Sequence, residues 1–148
     1  MPIDPVHSPL PLFDRLAADA ESQWAAHDTQ RDSIGKDLAR LLNTRSRLDA
    51  AAFADSAGTV LDYGVPDYSQ RSPVSSADRD SVAALVRHAI TLYEPRLCNV
   101  AVTLLPPPQG VGACVLDIRA DMRVGGALRH VAFELNAAAP EEGGGRHG

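Results

Sequence analysis

The five residues Tyr93-Glu94-Pro95-Arg96-Leu97 mark the point at which the sequence changes from a helical to an extended pattern. Before this joint the apolar residues recur at helical spacing, and after it they alternate. Pro95 ends the helix, because the residue before a proline is displaced from the α region. Glu94 and Arg96 place opposite charges on either side of the proline. From the residues alone, this pair can stabilise the fold, dock a partner or take part in catalysis.

Two helices are predicted upstream of the joint. The first begins at Asp32 or Ser33, either of which is a good N-cap, and ends at Asn43. The second begins near Ser76, with Ser75 or Ser76 as its cap, and ends at the joint. Their apolar stripes are Ile34, Leu38, Leu41 and Leu42 in the first, and Val82, Leu85, Val86, Ala89, Ile90 and Tyr93 in the second. The wide second stripe predicts a central helix packed flat against a sheet.

Three strands are predicted after the joint, over residues 97–105, 113–121 and 129–135, because apolar residues alternate in each. Residues 59–63 fit a further short strand. The pattern therefore predicts an α+β domain in which two main helices pack on one face of a mostly antiparallel sheet of three to four strands. Pairing of Leu104 with Cys114 satisfies the alternation of the first two strands.

This register keeps Cys98 and Cys114 apart by about six residues, or roughly 20 Å, and excludes a disulfide between them. Both cysteines are interpreted as inert core thiols. The domain is predicted to span residues 31–137. Residues 1–30 are interpreted as an extended, proline-rich arm with a short weak helix, and residues 138–148 as a disordered, glycine-rich tail.

Composition and motifs exclude several classes of function. The net charge of −5 offers no basic footprint for nucleic acid, and no apolar run is long enough for direct membrane insertion. With no signal peptide visible, a cytoplasmic location is expected. No phosphate loop and no histidine pair at ligand spacing is present, so neither a cofactor nor a metal is expected.

Catalysis is disfavoured for a different reason. Glycoside hydrolysis needs two carboxylates on either side of the scissile bond. Glu94 is one candidate, but nothing in the sequence aims Asp117 or Asp121 at it. A lone Glu two residues from an Arg is more often a structural ion pair.

Four stretches in order resemble one known family, the TssE wedge subunits of the type VI secretion baseplate. That family is related to a contractile-phage baseplate wedge protein with a lysozyme-like label. The matching stretches are Leu12-Phe13-Asp14-Arg15-Leu16, Ser33-Ile34-Gly35-Lys36-Asp37-Leu38 continuing to Leu41-Leu42-Asn43-Thr44-Arg45, Val60-Leu61-Asp62-Tyr63-Gly64-Val65-Pro66-Asp67, and Tyr93-Glu94-Pro95-Arg96-Leu97. Each is weak alone, whereas all four followed by three strands are fairly specific.

The resemblance implies a structural subunit without catalysis. It implies docking to the wedge proteins TssF, TssG and TssK, and it assigns partner binding to Glu94, Pro95 and Arg96. It also implies that an exposed strand edge helps to initiate assembly of the sheath subunits, through backbone hydrogen bonds. A cytoplasmic position at the inner membrane follows from this role. The alternative is an anti-adaptor, a regulatory binding protein that shares the fold and has no sheath.

Overall fold

A computed structural model describes residues 12–110 and 112–137 of the chain. The helices are α1 (Leu12–Asn43), α2 (Ala50–Ala54) and α3 (Ser76–Tyr93), with short 3-10 turns at Val60–Asp62 and Pro108–Gly110. The strands are β1 (Leu97–Leu105), β2 (Val115–Val124) and β3 (Ala127–Asn136), which form one antiparallel sheet in the order β1-β2-β3. The predicted α+β class is therefore confirmed, with α1 and α3 as its two main helices.

The core lies between these two helices and one face of the sheet. Because side chains alternate along a strand, one face of each strand points to the helices and the other points away. Most of the buried apolar residues come from α1, from α3 and from the inner face of the strands, and Phe53 of α2 and the loop residue Val65 complete the core: Ile34, Leu38, Leu41, Val82, Val86, Ala89, Ile90, Leu116, Ile118, Ala120, Met122, Val131 and Phe133 lie in the helices and strands. The predicted apolar stripes and strand faces are thus the residues that build the core.

Helix α1 is longer than the sequence pattern predicts. It begins at Leu12, so the N-cap expected at Asp32 or Ser33 was wrong, and the short helix expected near the start of the chain is the first part of α1. Residues 12–34 contain neither proline nor glycine and are rich in alanine, which favours a continuous helix. The proposed division at residue 30 remains a prediction. The expectations for residues 1–11 and 138–148 lie outside the described residues.

Helix α3 begins and ends where the sequence predicts. The Ser75 side chain accepts a hydrogen bond from the Asp78 backbone N–H, which satisfies one of the free donors of the first turn. Glu94 is the C-terminal cap, with φ −125° and ψ 80°, directly before Pro95. The chain then turns into β1 at Leu97. The joint is therefore a sharp corner between the central helix and an edge strand.

The predicted register of β1 and β2 was wrong by two residues from Ala101 to Leu105, where its parity was right, and by one residue at Cys98, where its parity was wrong. Leu104 pairs with Leu116 rather than Cys114, because the proline-containing connection extends to residue 114. A bulge between Cys98 and Ala101 adds one residue to β1, and Asn99 adopts a positive φ of 52° there. The two cysteines are both free, as expected.

Residues 59–63 do not form the expected strand. Val60–Asp62 is a 3-10 turn, closed by a hydrogen bond from the Asp62 N–H to the Thr59 carbonyl at 3.1 Å. The Thr59 hydroxyl also donates to the Asp62 carboxylate at 2.6 Å. A side chain that bonds to its own turn competes with strand pairing. The sheet therefore has three strands within the described residues, and no helix in that part of the chain is long and apolar enough to cross a membrane.

Candidate docking site

The candidate site is the corner at which α3 ends. The Glu94 N–H completes the helix by donating to the Ile90 carbonyl at 2.8 Å, and the Leu97 N–H donates to the Glu94 carbonyl at 3.2 Å. Pro95 lies between these two bonds and has no N–H of its own. The backbone of the corner is thus fixed on both sides of the proline. This geometry holds the side chains of Glu94 and Arg96 on the same side of the turn.

Glu94 and Arg96 form a bidentate ion pair. The Arg96 Nε donates to Glu94 Oε1 at 2.7 Å, and Nη2 donates to Oε2 at 2.7 Å. The Arg96 backbone N–H adds a third bond to Oε1 at 3.2 Å. Parallel N–H···O bonds of this kind are the strongest geometry available to an arginine and a carboxylate. The Glu94 side chain is buried, with 4% of the residue exposed.

Helix α1 contributes the rest of the cluster. Arg96 Nη2 also donates to Asp37 Oδ2 at 2.6 Å, and Nη1 donates to the Ser33 hydroxyl at 3.3 Å. The hydrogen bond to Glu94, and then the one to Asp37, raise the pKa of Arg96 above its ordinary value despite partial burial. Arg96 therefore joins the end of α3 to the last third of α1 and stays charged.

Two tyrosines form the neighbouring wall. The rings of Tyr63 and Tyr93 meet edge to face, with centroids 5.1 Å apart. Burial is the largest cause of the raised pKa of both phenols, so both are neutral at physiological pH. Together with the charged cluster they surround a cleft of about 380 Å³, lined by Asp37, Leu38, Arg40, Leu41, Tyr63, Tyr93, Glu94, Pro95 and Arg96.

The three predicted site residues differ in what they offer to a partner. Pro95 is exposed and the Arg96 side chain is 35% exposed, whereas Glu94 is turned inward. Glu94 is thus placed to hold Arg96 in position, and Pro95 and Arg96 form the accessible surface. The sequence pattern did not indicate Asp37 as a member of the cluster, because a contact across 59 residues leaves no local signal.

The other carboxylates considered for catalysis have separate partners on the strands. Asp117 accepts a hydrogen bond from Arg119 at 3.2 Å. Asp121 accepts from the Asn99 amide at 2.8 Å and lies 3.2 Å from the His130 ring nitrogen, and these bonds lower the pKa of Asp121. Among the described residues no three His, Cys, Asp or Glu side chains are grouped as metal ligands.

A second cavity, of about 210 Å³, is more apolar than the cleft at the joint. It lies between the start of α3 and the β1–β2 connection, where Tyr68, Leu104 and Ala137 line it. None of the residues of the joint contribute to it. The apolar character of a cavity alone therefore does not identify the docking site, and the charged cleft is chosen because it contains the three residues that the sequence predicts to bind a partner.

Comparison with known proteins identifies the class. The family described as "Baseplate wedge protein gp25" matches residues 28–127, and the chain belongs to this family. The match covers the second half of α1, the whole of α3, the joint and the first two strands. A structural part in a baseplate is the role that this family supports, as the resemblance implied.

The fold is also found in a solved assembly. A chain of the structure described as "The baseplate complex from the type VI secretion system" is similar to this protein, with a TM-score of 0.50 and 21% sequence identity. The similarity covers 75% of this chain and 96% of that chain. At this identity the likeness establishes a shared fold. A search of curated proteins gives no significant match.

Proposed function

We propose that the protein is a TssE-like structural subunit of a type VI secretion baseplate. In this role it docks to the wedge proteins TssF, TssG and TssK, helps to initiate the sheath on the cytoplasmic side of the inner membrane, and has no catalytic activity. The observation that carries the proposal is the corner at the end of α3, where Pro95 is exposed and Arg96 is held by Glu94 and Asp37. Membership in the baseplate wedge family supports it.

A rigid charged corner suits docking. Because Arg96 is already fixed by three side chains, a partner that contacts it does not have to order it first. Preorganisation of this kind lowers the entropy lost on binding. Pro95 has the same effect on the backbone, since its φ is fixed by its ring. The corner therefore presents one shape to a partner.

The same geometry supports a role without catalysis. Each oxygen of Glu94 accepts a charge-assisted bond from Arg96, so the carboxylate is bound to its own chain rather than aimed at a substrate. A second carboxylate, that of Asp37, accepts from the same guanidinium nitrogen as Glu94 Oε2. Purified protein incubated with peptidoglycan is expected to release no fragments. Release that disappears in Glu94→Gln would contradict the structural role.

The docking role is tested by binding to a purified TssF–TssG complex. Arg96→Lys keeps a cation beside Glu94 and loses the guanidinium fork, and we expect it to bind at least about tenfold more weakly. Arg87→Lys, at an exposed position of α3, is the matched control and is expected to bind as the wild type does. Melting curves of both variants verify that each protein is folded at the temperature of the binding assay. Equal binding by Arg96→Lys and wild type would exclude Arg96 as a contact.

Sheath initiation is proposed to use an edge of the sheet. Both β1 and β3 are edge strands within the described residues, and β-strand addition needs a strand with free backbone groups. The anti-adaptor alternative lacks sheath partners. The neighbouring genes separate the two: genes for sheath and wedge proteins support the baseplate role, and an isolated stress-regulated gene supports the anti-adaptor.

A further inference from the structure

Two adjacent aliphatic side chains project from the 3-10 turn into solvent. Val60 is 91% exposed and Leu61 is 72% exposed. Single exposed apolar residues are ordinary on a protein surface, whereas contiguous exposed apolar surface marks interaction sites, and these two side chains are adjacent. Neither side chain belongs to the hydrophobic core or packs against it. The pair is therefore exposed to solvent and does not contribute to the packing of the core.

The turn that carries the pair is rigid. Besides its own bonds between Thr59 and Asp62, it is tied to the loop after α1. The Ser46 hydroxyl donates to the Asp62 carbonyl at 2.9 Å, and Arg47 lies 3.6 Å from the Asp62 carboxylate. Four polar contacts thus fix a turn of three residues. The exposed pair is not the tip of a loose loop.

The segment that contains the turn has a glycine at each end, and each glycine lies close to a neighbouring element. Gly58 has a φ of +77°, and a Cβ added there would lie 3.1 Å from the Leu92 Cβ. Gly64 has a φ of +120°, and an added Cβ would lie 2.5 Å from the Thr44 carbonyl oxygen. Only glycine is compatible with the second contact, since backbone atoms cannot move aside. The segment is therefore clamped against α3 on one side and the end of α1 on the other.

The turn also lies beside the charged corner. The Tyr93 hydroxyl donates to the Thr59 carbonyl at 3.0 Å, and the Tyr63 ring packs on the Tyr93 ring. Tyr63 and Tyr93 line the same cleft as Pro95 and Arg96. Tyr63 and Tyr93 therefore adjoin both the turn that carries the apolar pair and the charged corner, although neither Val60 nor Leu61 lines the cleft itself.

We propose that Val60 and Leu61 are the apolar anchor of the docking surface and insert into an apolar pocket of a protein partner. This inference rests on the proposed docking function and names the residues that supply most of its affinity. A rigid apolar projection next to a fixed charge combines affinity with orientation. A lipid surface is disfavoured as the occupant, because the chain has a net charge of −5 and the turn carries Asp62 rather than a group of basic residues.

The test compares Val60→Ser/Leu61→Ser with a matched control, Val74→Ser. Val74 is 85% exposed on the loop before α3 and does not line the cleft. The probes are the purified TssF–TssG complex and vesicles of phosphatidylcholine with phosphatidylglycerol. Each buried aliphatic side chain contributes a factor of about ten or more, so the double variant is expected to bind the complex at least about 100-fold more weakly. The control is expected to bind as wild type, with unchanged melting curves for all three proteins.

Each outcome has a defined meaning. Weaker binding by the double variant alone supports the anchor. Equal binding by wild type and double variant overturns the anchor and leaves the docking function intact. Association of the wild type with vesicles, lost in the double variant, overturns the protein partner as occupant. If the wild type itself does not bind the complex, the docking function fails and the anchor fails with it.

Discussion

Replacement of Arg96 by methionine tests whether the charged corner holds the two main helices together. The variant keeps a long side chain but leaves Glu94, which is 4% exposed, without its counterion. Removing one partner of a buried pair costs about 3–5 kcal/mol. Because Arg96 is about a third exposed and water screens the pair, we expect a loss of roughly 2–3 kcal/mol. For a domain of this size that lowers the melting temperature by about 5–10 °C.

Urea unfolding at pH 7, followed by circular dichroism, measures this loss. Arg40→Met is the matched control, because Arg40 is 73% exposed and its nitrogen lies 3.7 Å from Asp37. We expect the control to change the free energy of unfolding by less than about 0.5 kcal/mol. The double variant Glu94→Gln/Arg96→Met is expected to recover part of the loss, since no buried charge then lacks a partner. An Arg96→Met protein as stable as the control would refute the reasoning.

Three further predictions follow from the local geometry. Gly64→Ala lowers the free energy of unfolding by at least about 2 kcal/mol, through the clash at its Cβ and its positive φ, as urea unfolding measures. Ser75→Ala lowers it by about 1 kcal/mol, because α3 loses its N-terminal cap. Asn99→Gly raises the pKa of Asp121 toward its ordinary value of 3.8, as NMR titration of the carboxyl carbon measures. Glycine is chosen there because it tolerates the positive φ.

The two stability predictions each have a matched control. Gly125→Ala also introduces a side chain at positive φ but meets no atom within 4 Å, so it is expected to cost about 1 kcal/mol. Ser81→Ala removes a hydroxyl bonded within α3 and is expected to be neutral or slightly stabilising. If Gly64→Ala matches Gly125→Ala, the close approach to Thr44 is not a constraint. If Ser75→Ala matches Ser81→Ala, the cap does not stabilise α3.

The pH dependence of the Asp121 interaction has a definite sign. Its pKa is depressed in the folded protein, first by the Asn99 amide and then by His130. A depressed carboxylate pKa means that the unfolded chain binds protons more readily, so the stabilisation is present above about pH 4 and is lost as the pH falls through the folded pKa. In Asn99→Gly the Asp121 interaction contributes less stability, and its loss is complete at a higher pH than in the wild type. An unchanged Asp121 titration would show that Asn99 does not contribute.

The sequence predicts the elements that depend on local periodicity. The cap at Ser75, the end of α3 at Glu94 and the inner faces of the three strands follow from residue spacing, and the structure confirms them. The first half of α1 has only a thin apolar stripe in the sequence, and periodicity therefore predicted no more than a short weak helix there. Helical propensity and the absence of proline and glycine were the signal that remained.

The features that the sequence does not predict depend on distant contacts. Asp37 joins Arg96 across 59 residues, and the Val60–Asp62 turn is held by Ser46 and Tyr93. The register of β1 and β2 changes at a bulge whose only local sign is an asparagine that tolerates positive φ. Each of these features depends on contacts between residues that are far apart in the sequence, so local sequence patterns do not predict it.

The central claim is that the corner at Pro95 and Arg96, with the neighbouring Val60–Leu61 turn, is the surface that meets a wedge partner. The most direct measurement is the solvent exposure of these residues in a reconstituted complex with TssF and TssG, determined by cryo-electron microscopy. We expect Val60, Leu61, Pro95 and Arg96 to be covered by the partner. A partner seated on the outer face of the sheet, with these four residues left in solvent, would contradict it.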